Sequence, residues 1–226
     1  MQGILYAIAT WLIPLVFAII FHEIAHGWVA RAFGDPTAHR MGRLTLNPVK
    51  HVDPVGTVLL PMALAVMNAP IFGWAKPVPV DQRRLRNPRW HMVLVALAGP
   101  GSNILLALLT LLVMAGLWVN AGPPQGAVYD FVWANLTNFT IINIMLAVFN
   151  MLPLPPFDGS HVVEGILPRP LAAGYARLRP YGLGLMIVMF VAVPLLFPQS
   201  NLVARLIGPP VEAVLGWANN FFAALT

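Results

Sequence analysis

Long runs of mainly apolar residues with few or no charges alternate along this chain with shorter segments that hold most of its charged residues. A run of about 20 apolar residues can cross the hydrocarbon core of a bilayer as a helix. Runs near this length occupy residues 3–21, 91–119, 127–151 and 181–198, and a weaker run with two charged residues occupies 201–225. The pattern predicts an α-helical, multi-pass membrane protein with one domain over residues 1–226. We expect a core at about 3–160, followed by about two further, accessory helices at about 181–225.

The composition supports a membrane protein rather than a soluble one. Charged residues make up 9% of the chain and hydrophobic residues 58%, whereas about 25% of residues are charged in an ordinary soluble domain. Cysteine is absent, which excludes disulfides and thiolate metal sites. The first residues lack the basic segment of a secretory signal peptide, so we expect no cleavable leader.

The basic residues carry information about topology. The net charge of +5 comes from Lys and Arg residues that lie mostly in loops, with four in 31–53, five in 75–90, three in 152–180 and none in 119–130. Cytoplasmic loops of membrane proteins are enriched in these residues. We therefore predict that the three basic loops face the cytoplasm, and that nucleic acid is not a partner.

One uncharged segment, residues 55–74, does not fit a simple crossing because it contains two prolines. A full crossing would place the two most basic loops on opposite sides of the membrane. A segment that enters and returns keeps them on one side, and irregular backbone is tolerated there when it is buried against protein. The numbers of Lys and Arg residues in the loops favour a re-entrant hairpin.

Short strands are predicted on both sides of this hairpin, at RLTL (43–46) and KPVPV (76–80). Pro77 and Pro79 confine the second strand to a sheet edge because proline cannot donate a hydrogen bond to a ladder. In this topology the first helix runs from the outside to the cytoplasmic side and ends in polar residues there.

The polar end of the first helix reads FHEIAHGW, residues 21–28. In its HExxH pattern, His22 and His26 lie at positions i and i+4, on one face of the helix. Two imidazoles spaced in this way can bind zinc, and Glu23 beside them can act on water as a general base. The alternative is that these polar residues lie at a helix end without a function. However, inserting a carboxylate at membrane depth costs about 2.5–3.5 kcal/mol of free energy. The motif predicts a metal centre.

A catalytic zinc needs three protein ligands and one open position, and the local motif supplies two. The extended pattern with a glycine and a third histidine is absent, since Val29 stands at the glycine position. The candidates for the third ligand among the other His, Asp and Glu residues are Asp35, His39, His51, Asp53, Asp81, His91, Asp158, His161 and Glu164.

Asp158 has a distinctive setting within NMLPLPPFDG, residues 150–159. The prolines end the preceding apolar helix and impose extended backbone, and Gly159 permits a close turn. A carboxylate on such a loop at membrane depth needs a strong partner, for which a divalent cation is suitable. A solvated turn aspartate is the alternative.

HEIAH and NMLPLPPFDG together resemble the signatures HExxH and NxxPxPxxDG of the site-2 protease family of intramembrane zinc metalloproteases. A third element, AGPGSN (98–103), resembles the GPxxN helix of that family. The segments 42–57 and 72–80 are similar to those of the compact branch, which has no PDZ or CBS domain.

The resemblance implies a three-helix catalytic core and a site of known composition. It implies that His22, His26 and Asp158 are the ligands of one Zn2+ and that Glu23 is the general base. Asn150 becomes a candidate for holding substrate or stabilising the oxyanion, with a helix-packing hydrogen bond as the alternative.

Three further polar residues lie outside the implied set of metal ligands. Asn103 is expected to pack helices, next to glycines that allow close approach. His51 and Asp53 belong either to the surroundings of the metal ligands or to a solvated loop.

The resemblance also implies a function: hydrolysis of peptide bonds within or near transmembrane segments of membrane-protein substrates. We expect a multi-pass protein of a prokaryotic cell membrane, surrounded by lipid bilayer, with its active site towards the cytoplasmic side. A metal transporter and a non-catalytic membrane scaffold are the alternatives. Transport should survive Glu23→Gln, whereas proteolysis should not.

Overall fold

The computed structural model describes residues 2–66, 73–197, 199 and 202–224, which fold into α-helices joined by loops and short 3-10 or π-helical turns. The α-helices in this part of the chain are α1 (Gln2–Ala32), α2 (Thr37–Arg40), α3 (Leu60–Val66), α4 (Pro88–Ala121), α5 (Ala127–Asn150), α6 (Asp158–Ile166), α7 (Arg169–Ala176), α8 (Gly182–Ile187), α9 (Val193–Leu196) and α10 (Leu202–Ala223).

The three longest helices, α1, α4 and α5, pack against one another as a bundle, and α6 packs against α4. By length and composition these three are the helices in the described residues that can cross a membrane. Many of their apolar side chains are exposed in the isolated chain, including Leu12, Leu105 and Leu112. Such side chains face lipid in a membrane protein. The predicted bundle of three long apolar helices is confirmed.

Local sequence explains where α4 begins and ends. The side chain of Asn87 accepts a hydrogen bond from the N–H of Trp90, and Pro88 occupies the first helical position, where its missing N–H has no cost. The helix ends at Gly122, whose φ of 73° is a left-handed conformation that favours glycine. Asn87 and Gly122 thus fix the length of the central helix.

Accessory helices follow the bundle, as the sequence predicts, but they are less regular. The predicted helix at 181–198 is present as α8, a π-helical segment Val188–Ala192, and α9. The predicted helix at 201–225 is present as α10, which contains Pro209 and Pro210. Whether these segments cross the bilayer remains a prediction.

The segment 55–74 begins as a π-helical turn, Pro54–Leu59, and continues as α3. The tip of the predicted hairpin, residues 67–72, lies outside the described residues. The two ends of the segment meet, because the N–H of Trp74 donates to the carbonyl oxygen of Gly56 at 3.1 Å and the Thr57 hydroxyl donates to the Trp74 carbonyl at 2.9 Å.

The predicted short strands are wrong for the residues described: residues 44–46 form bends, and residues 43 and 76–80 have no regular structure. Side chains take the backbone groups that a ladder would use. The N–H of Val78 donates to Glu23, and the carbonyls of Lys76 and Pro77 accept from Arg43. The alternation of polar and apolar residues therefore reflects contacts with α1 and its following loop, not pairing between strands.

Candidate metal centre

Three metal-ligating side chains converge between α1 and the start of α6. Nε2 of His22 lies 3.0 Å from Nε2 of His26, and each of these atoms lies 3.2 Å from Oδ2 of Asp158. Within the described residues, this is the group of His, Asp or Glu side chains arranged to hold a metal ion. The i, i+4 spacing on α1 places both imidazoles on one face, and the turn before α6 brings the carboxylate to them.

The other nitrogen of each imidazole is held by α4. Nδ1 of His22 lies 2.6 Å from Oδ1 of Asn103, and Nδ1 of His26 lies 2.7 Å from the carbonyl oxygen of Val95. A carbonyl oxygen can only accept, so Nδ1 of His26 must donate. Metal-binding histidines usually donate their second N–H in this way, which fixes the ring and its tautomer.

A chain of hydrogen-bonded amides shows that Nδ1 of His22 is also a donor. The Nδ2 group of Asn143 donates to the carbonyl of Phe139 at 2.7 Å, and the Nδ2 group of Asn103 donates to Oδ1 of Asn143 at 2.7 Å. Since the Phe139 carbonyl can only accept, the direction of the whole chain is set. Oδ1 of Asn103 is left to accept the Nδ1 hydrogen of His22, and Nε2 of His22 carries a lone pair.

These groups fit a zinc ion. Two imidazole lone pairs and a carboxylate oxygen meet at 3.0–3.2 Å, and Oδ2 of Asp158 is buried without a hydrogen-bond partner in the described residues. Zinc bonds of about 2.0–2.1 Å in a tetrahedral site place neighbouring ligand atoms about 3.3 Å apart. Three converging acceptors without a donor are accounted for by a cation.

Gly99 on α4 makes room for the two imidazoles. A Cβ atom at this position would lie 2.4 Å from Nε2 of His26 and 2.5 Å from Cε1 of His22. The glycine of the AGPGSN element is therefore a point of close approach, whereas a Cβ at Gly101 would meet no atom within 4 Å.

The turn that carries Asp158 is anchored on both sides. A Cβ at Gly159 would lie 2.4 Å from the carbonyl oxygen of Met151, so the glycine lets the proline-rich loop fold against the start of α6. At the end of α6, Nε of Arg89 donates to the Gly165 carbonyl at 2.8 Å and Nη2 of Arg89 to the Leu167 carbonyl at 2.6 Å. Helix α6 is thus fixed to α4.

Glu23 is partly buried and lies beside the two histidines on α1. Its Oε2 accepts the N–H of Val78 at 2.7 Å. The carboxylate is outside the group of three converging ligands, so it remains available for another role.

The remaining candidate ligands lie outside this group in the described residues. Asp35 is fully buried and accepts the N–H groups of Thr37 and Asp81. His161 lies one helical turn after Asp158, where burial lowers its pKa and the charge of Arg179 lowers that pKa further. The others are not brought to the histidines either: His39, His51, Asp53, Asp81, His91 and Glu164.

The structure shows the hydrogen-bond partners of three residues whose roles the sequence left open. His51 is buried rather than solvated, and its Nε2 lies 2.9 Å from the Thr45 carbonyl. Asp53 caps the following turn by accepting the N–H groups of Val55 and Gly56. Asn150 donates to the carbonyl of Leu146 in its own helix.

Sequence reasoning missed Asn143 and underestimated Asn103. Both are fully buried, and both belong to the hydrogen-bond chain that ends on His22. A signal was present in the sequence, because an amide in the middle of an apolar span commonly forms a hydrogen bond to another helix. What the sequence could not show was that α4 and α5 bring the two amides together.

The chain is similar in sequence to a known protein family and to several named proteins. The sequence model described as "Peptidase family M50" matches residues 10–129 and 123–193. The chain is 41% identical over 199 residues to "Putative zinc metalloprotease YwhC" of Bacillus subtilis, and the match covers 84% of each protein. No solved structure matches the chain significantly.

More distant relatives carry similar names. The chain is 28% identical over 184 residues to "Putative zinc metalloprotease Rip2" of Mycolicibacterium smegmatis, covering 81% of this chain and 66% of that protein. It is 29% identical over 164 residues to "Putative zinc metalloprotease MJ0611" of Methanocaldococcus jannaschii, covering 70% and 73%. Zinc is accordingly the expected cofactor. The chain belongs to peptidase family M50, the site-2 protease family of membrane metalloproteases.

Proposed function

We propose that this chain is an intramembrane zinc metalloprotease that hydrolyses peptide bonds within or near transmembrane segments of membrane proteins. The observation that carries the proposal is the convergence of His22, His26 and Asp158 at 3.0–3.2 Å, beside a carboxylate that takes no part in it. A site with three ligands leaves a position open for chemistry, as catalytic zinc sites do.

In this proposal His22, His26 and Asp158 bind the metal through Nε2, Nε2 and Oδ2. Zinc held there would supply a Lewis acid that polarises the scissile carbonyl and acidifies water. Glu23 takes the proton from the attacking water on its carboxylate and later gives it to the nitrogen of the leaving amine. Asn150, at the end of α5, is proposed to hold the substrate or its oxyanion, which rests on its place in the NxxPxPxxDG motif.

The substrate must lose helical structure before it is cut. A transmembrane helix keeps its carbonyl groups in internal hydrogen bonds, so a segment has to unwind to present one to the site. Substrates with helix-breaking residues in an apolar span are therefore favoured.

We further propose that residues 55–74 form a re-entrant segment and that the site faces the cytoplasmic side of a prokaryotic cell membrane. The hydrogen bond between Trp74 and Gly56 supports re-entry, because the segment starts and ends at one place. The basic loops support the orientation. The bacterial and archaeal sources of the relatives support the type of membrane.

A metal transporter would also bury His and acidic side chains, but it needs a path of them across the membrane. The ionisable residues of α4 and α5 lie near the helix ends: Arg89, His91 and Asp130. This distribution favours one fixed site over a path.

The test uses the purified chain in liposomes with a library of synthetic transmembrane peptides, some of which carry a central Asn-Pro pair. New peptide termini are detected by mass spectrometry for wild type and Glu23→Gln at equal zinc content. We expect cleavage by wild type and a loss of about 100-fold or more in Glu23→Gln. Equal cleavage by the variant, or no cleavage of any peptide by zinc-loaded wild type, would contradict the proposal.

A further inference from the structure

Residues 76–81, here called the strap, contact α1 at Glu23 and contain no helix or strand. Pro77 and Pro79 require extended backbone in the residues before them and remove their own N–H groups from hydrogen bonding. The N–H of Val78, between the two prolines, donates to Oε2 of Glu23 at 2.7 Å. The strap thus supplies a backbone donor to the proposed general base.

Arg43 holds the first end of the strap. Its Nη2 donates to the carbonyl oxygens of Lys76 at 2.7 Å and Pro77 at 3.3 Å. The N–H of Lys76 in turn donates to the carbonyl of His51 at 2.8 Å. Three backbone groups at this end are therefore bound by the loop that follows α1.

Asp35 holds the other end. Its Oδ2 accepts the N–H of Asp81 at 2.7 Å, and its Oδ1 accepts the N–H of Thr37 at 3.0 Å. The loop after α1 consequently binds the strap on both sides of Val78.

Both holding residues are buried, which is unusual for charged side chains. Arg43 is 6% exposed and Asp35 is 0% exposed. No carboxylate lies within ion-pair distance of Arg43 in the described part of the chain. Its guanidinium instead donates to the carbonyls of the strap. A buried guanidinium without a carboxylate is unfavourable, and its contacts point to a positioning role.

The packing beneath the strap is tight. A Cβ at Gly27 would lie 2.9 Å from Cγ1 of Val78 and 2.3 Å from Cδ2 of Leu44. The strap therefore rests directly on the α1 backbone, one residue after the proposed metal ligand His26.

We propose that Arg43 and Asp35 are positioning residues that hold the two ends of the strap, so that the Val78 N–H orients the Glu23 carboxylate for proton transfer. The inference rests on the proposed role of Glu23 as general base. A catalytic group works best when its orientation is fixed by contacts made before the substrate binds.

A matched pair of proline substitutions tests the contact itself. Val78→Pro removes the N–H that donates to Glu23, whereas the N–H removed by Val80→Pro makes no hydrogen bond in the residues described. Both variants of the full chain are loaded with zinc and assayed with a transmembrane peptide that wild type cleaves. We expect Val78→Pro to lower kcat by about tenfold or more, with KM within about threefold and zinc retained. Val80→Pro should keep kcat within about threefold of wild type.

A double-mutant cycle tests whether Arg43 acts through this contact. Arg43→Met should lower kcat about tenfold in the wild-type background and have almost no further effect in Val78→Pro, because coupled residues are not additive. Arg43→Lys retains a donor and should restore part of kcat. If Arg43→Met does not fold, Asp35→Asn enters the same cycle in its place.

Equal kcat values for Val78→Pro and Val80→Pro, or additive effects of Arg43→Met and Val78→Pro, would overturn the inference. The proposed function fails separately, when wild type cleaves no peptide or Glu23→Gln keeps full activity. The two failures are therefore distinguishable in one set of assays.

Discussion

Oδ1 of Asn103 lies 2.6 Å from Nδ1 of His22 in the centre of the bundle, where Asn103 is 0% and His22 6% exposed. This contact joins α4 to α1 at the proposed metal centre. Because Asn103 is itself bound by Asn143 on α5, all three helices of the bundle contribute to the orientation of one proposed ligand. The same hydrogen bonds thus connect the helices of the bundle and hold the proposed metal centre.

We expect a substitution at Asn103 to weaken metal binding in a chain that still folds. Asn103→Leu removes the acceptor for His22, and loss of such a contact typically lowers metal affinity about 10- to 100-fold. Zinc affinity is measured by competition with a chelator in detergent.

Asn138 provides the matched control, since its amide also bridges two helices by donating to the Thr10 carbonyl at 2.8 Å. Asn138→Leu should lower thermal stability and leave zinc affinity unchanged. A similar loss of zinc in both variants would show that the Asn103 effect comes from the bundle as a whole.

A methyl group at position 99 should displace the imidazoles. Gly99→Ala places a Cβ 2.4 Å from Nε2 of His26, and we expect zinc affinity to fall by at least about tenfold. Gly101→Ala, on the same helix, meets no atom within 4 Å and should stabilise α4 by up to about 1 kcal/mol. Zinc content and melting temperature of the two variants separate these effects, and normal zinc in Gly99→Ala would contradict the geometry.

Arg89 should matter for stability through α6. Its guanidinium donates to the carbonyls of Gly165 and Leu167, and hydrogen bonds from a charged donor contribute about 1.5–3 kcal/mol each. We expect Arg89→Met to lower the free energy of unfolding by a few kcal/mol, as measured by denaturant titration in micelles.

The control for this prediction is Arg83→Met, because Arg83 is exposed and its side chain makes no hydrogen bond within the part described. The free energy of unfolding of that variant should lie within about 0.5 kcal/mol of the wild-type value. Equal losses in the two variants would argue against an anchoring role for Arg89.

The three long apolar helices were predictable, and so was the common helical face of His22 and His26. Both features follow from short-range patterns in the sequence. Run length identifies a spanning helix, and the i, i+4 spacing fixes a helical face. Asp158 belongs to a different case. Its setting made it a candidate, but only the resemblance to a known family identified it as the third ligand. Asp158 lies far from the histidines in the sequence, and no local pattern shows that the fold brings them together.

The wrong predictions share a cause. The sequence KPVPV alternates as an edge strand does, and nothing local shows that Val78 donates to a side chain on α1. Asn143 was missed for the same reason, because its partner is on α4. Backbone and amide partners between distant segments are not encoded in periodicity.

The pKa of His161 should lie below its ordinary value, because burial and the charge of Arg179 favour the neutral ring. An unfolded chain has a histidine pKa near 6.5, so it binds more protons than the folded chain between the lowered pKa and about 6.5. The free energy of unfolding therefore falls as the pH drops through this window. Titration of 13C-labelled histidine by NMR measures the pKa directly.

Arg179→Met should raise the pKa of His161 by removing the nearby positive charge. Arg177→Met, in the same exposed loop, should leave it unchanged. A His161 pKa at or above 6.5 in the wild type would contradict the structural explanation.

Zinc content of purified wild type, Glu23→Gln and Asp158→Ala tests the proposed metal centre most directly. The three-ligand site predicts one zinc per chain in wild type and in Glu23→Gln, since Glu23 lies outside the converging group. It predicts that zinc is lost or much weakened in Asp158→Ala, because two imidazoles alone leave the site incomplete. Full zinc in Asp158→Ala would contradict the account, since the third ligand would then have to be another residue.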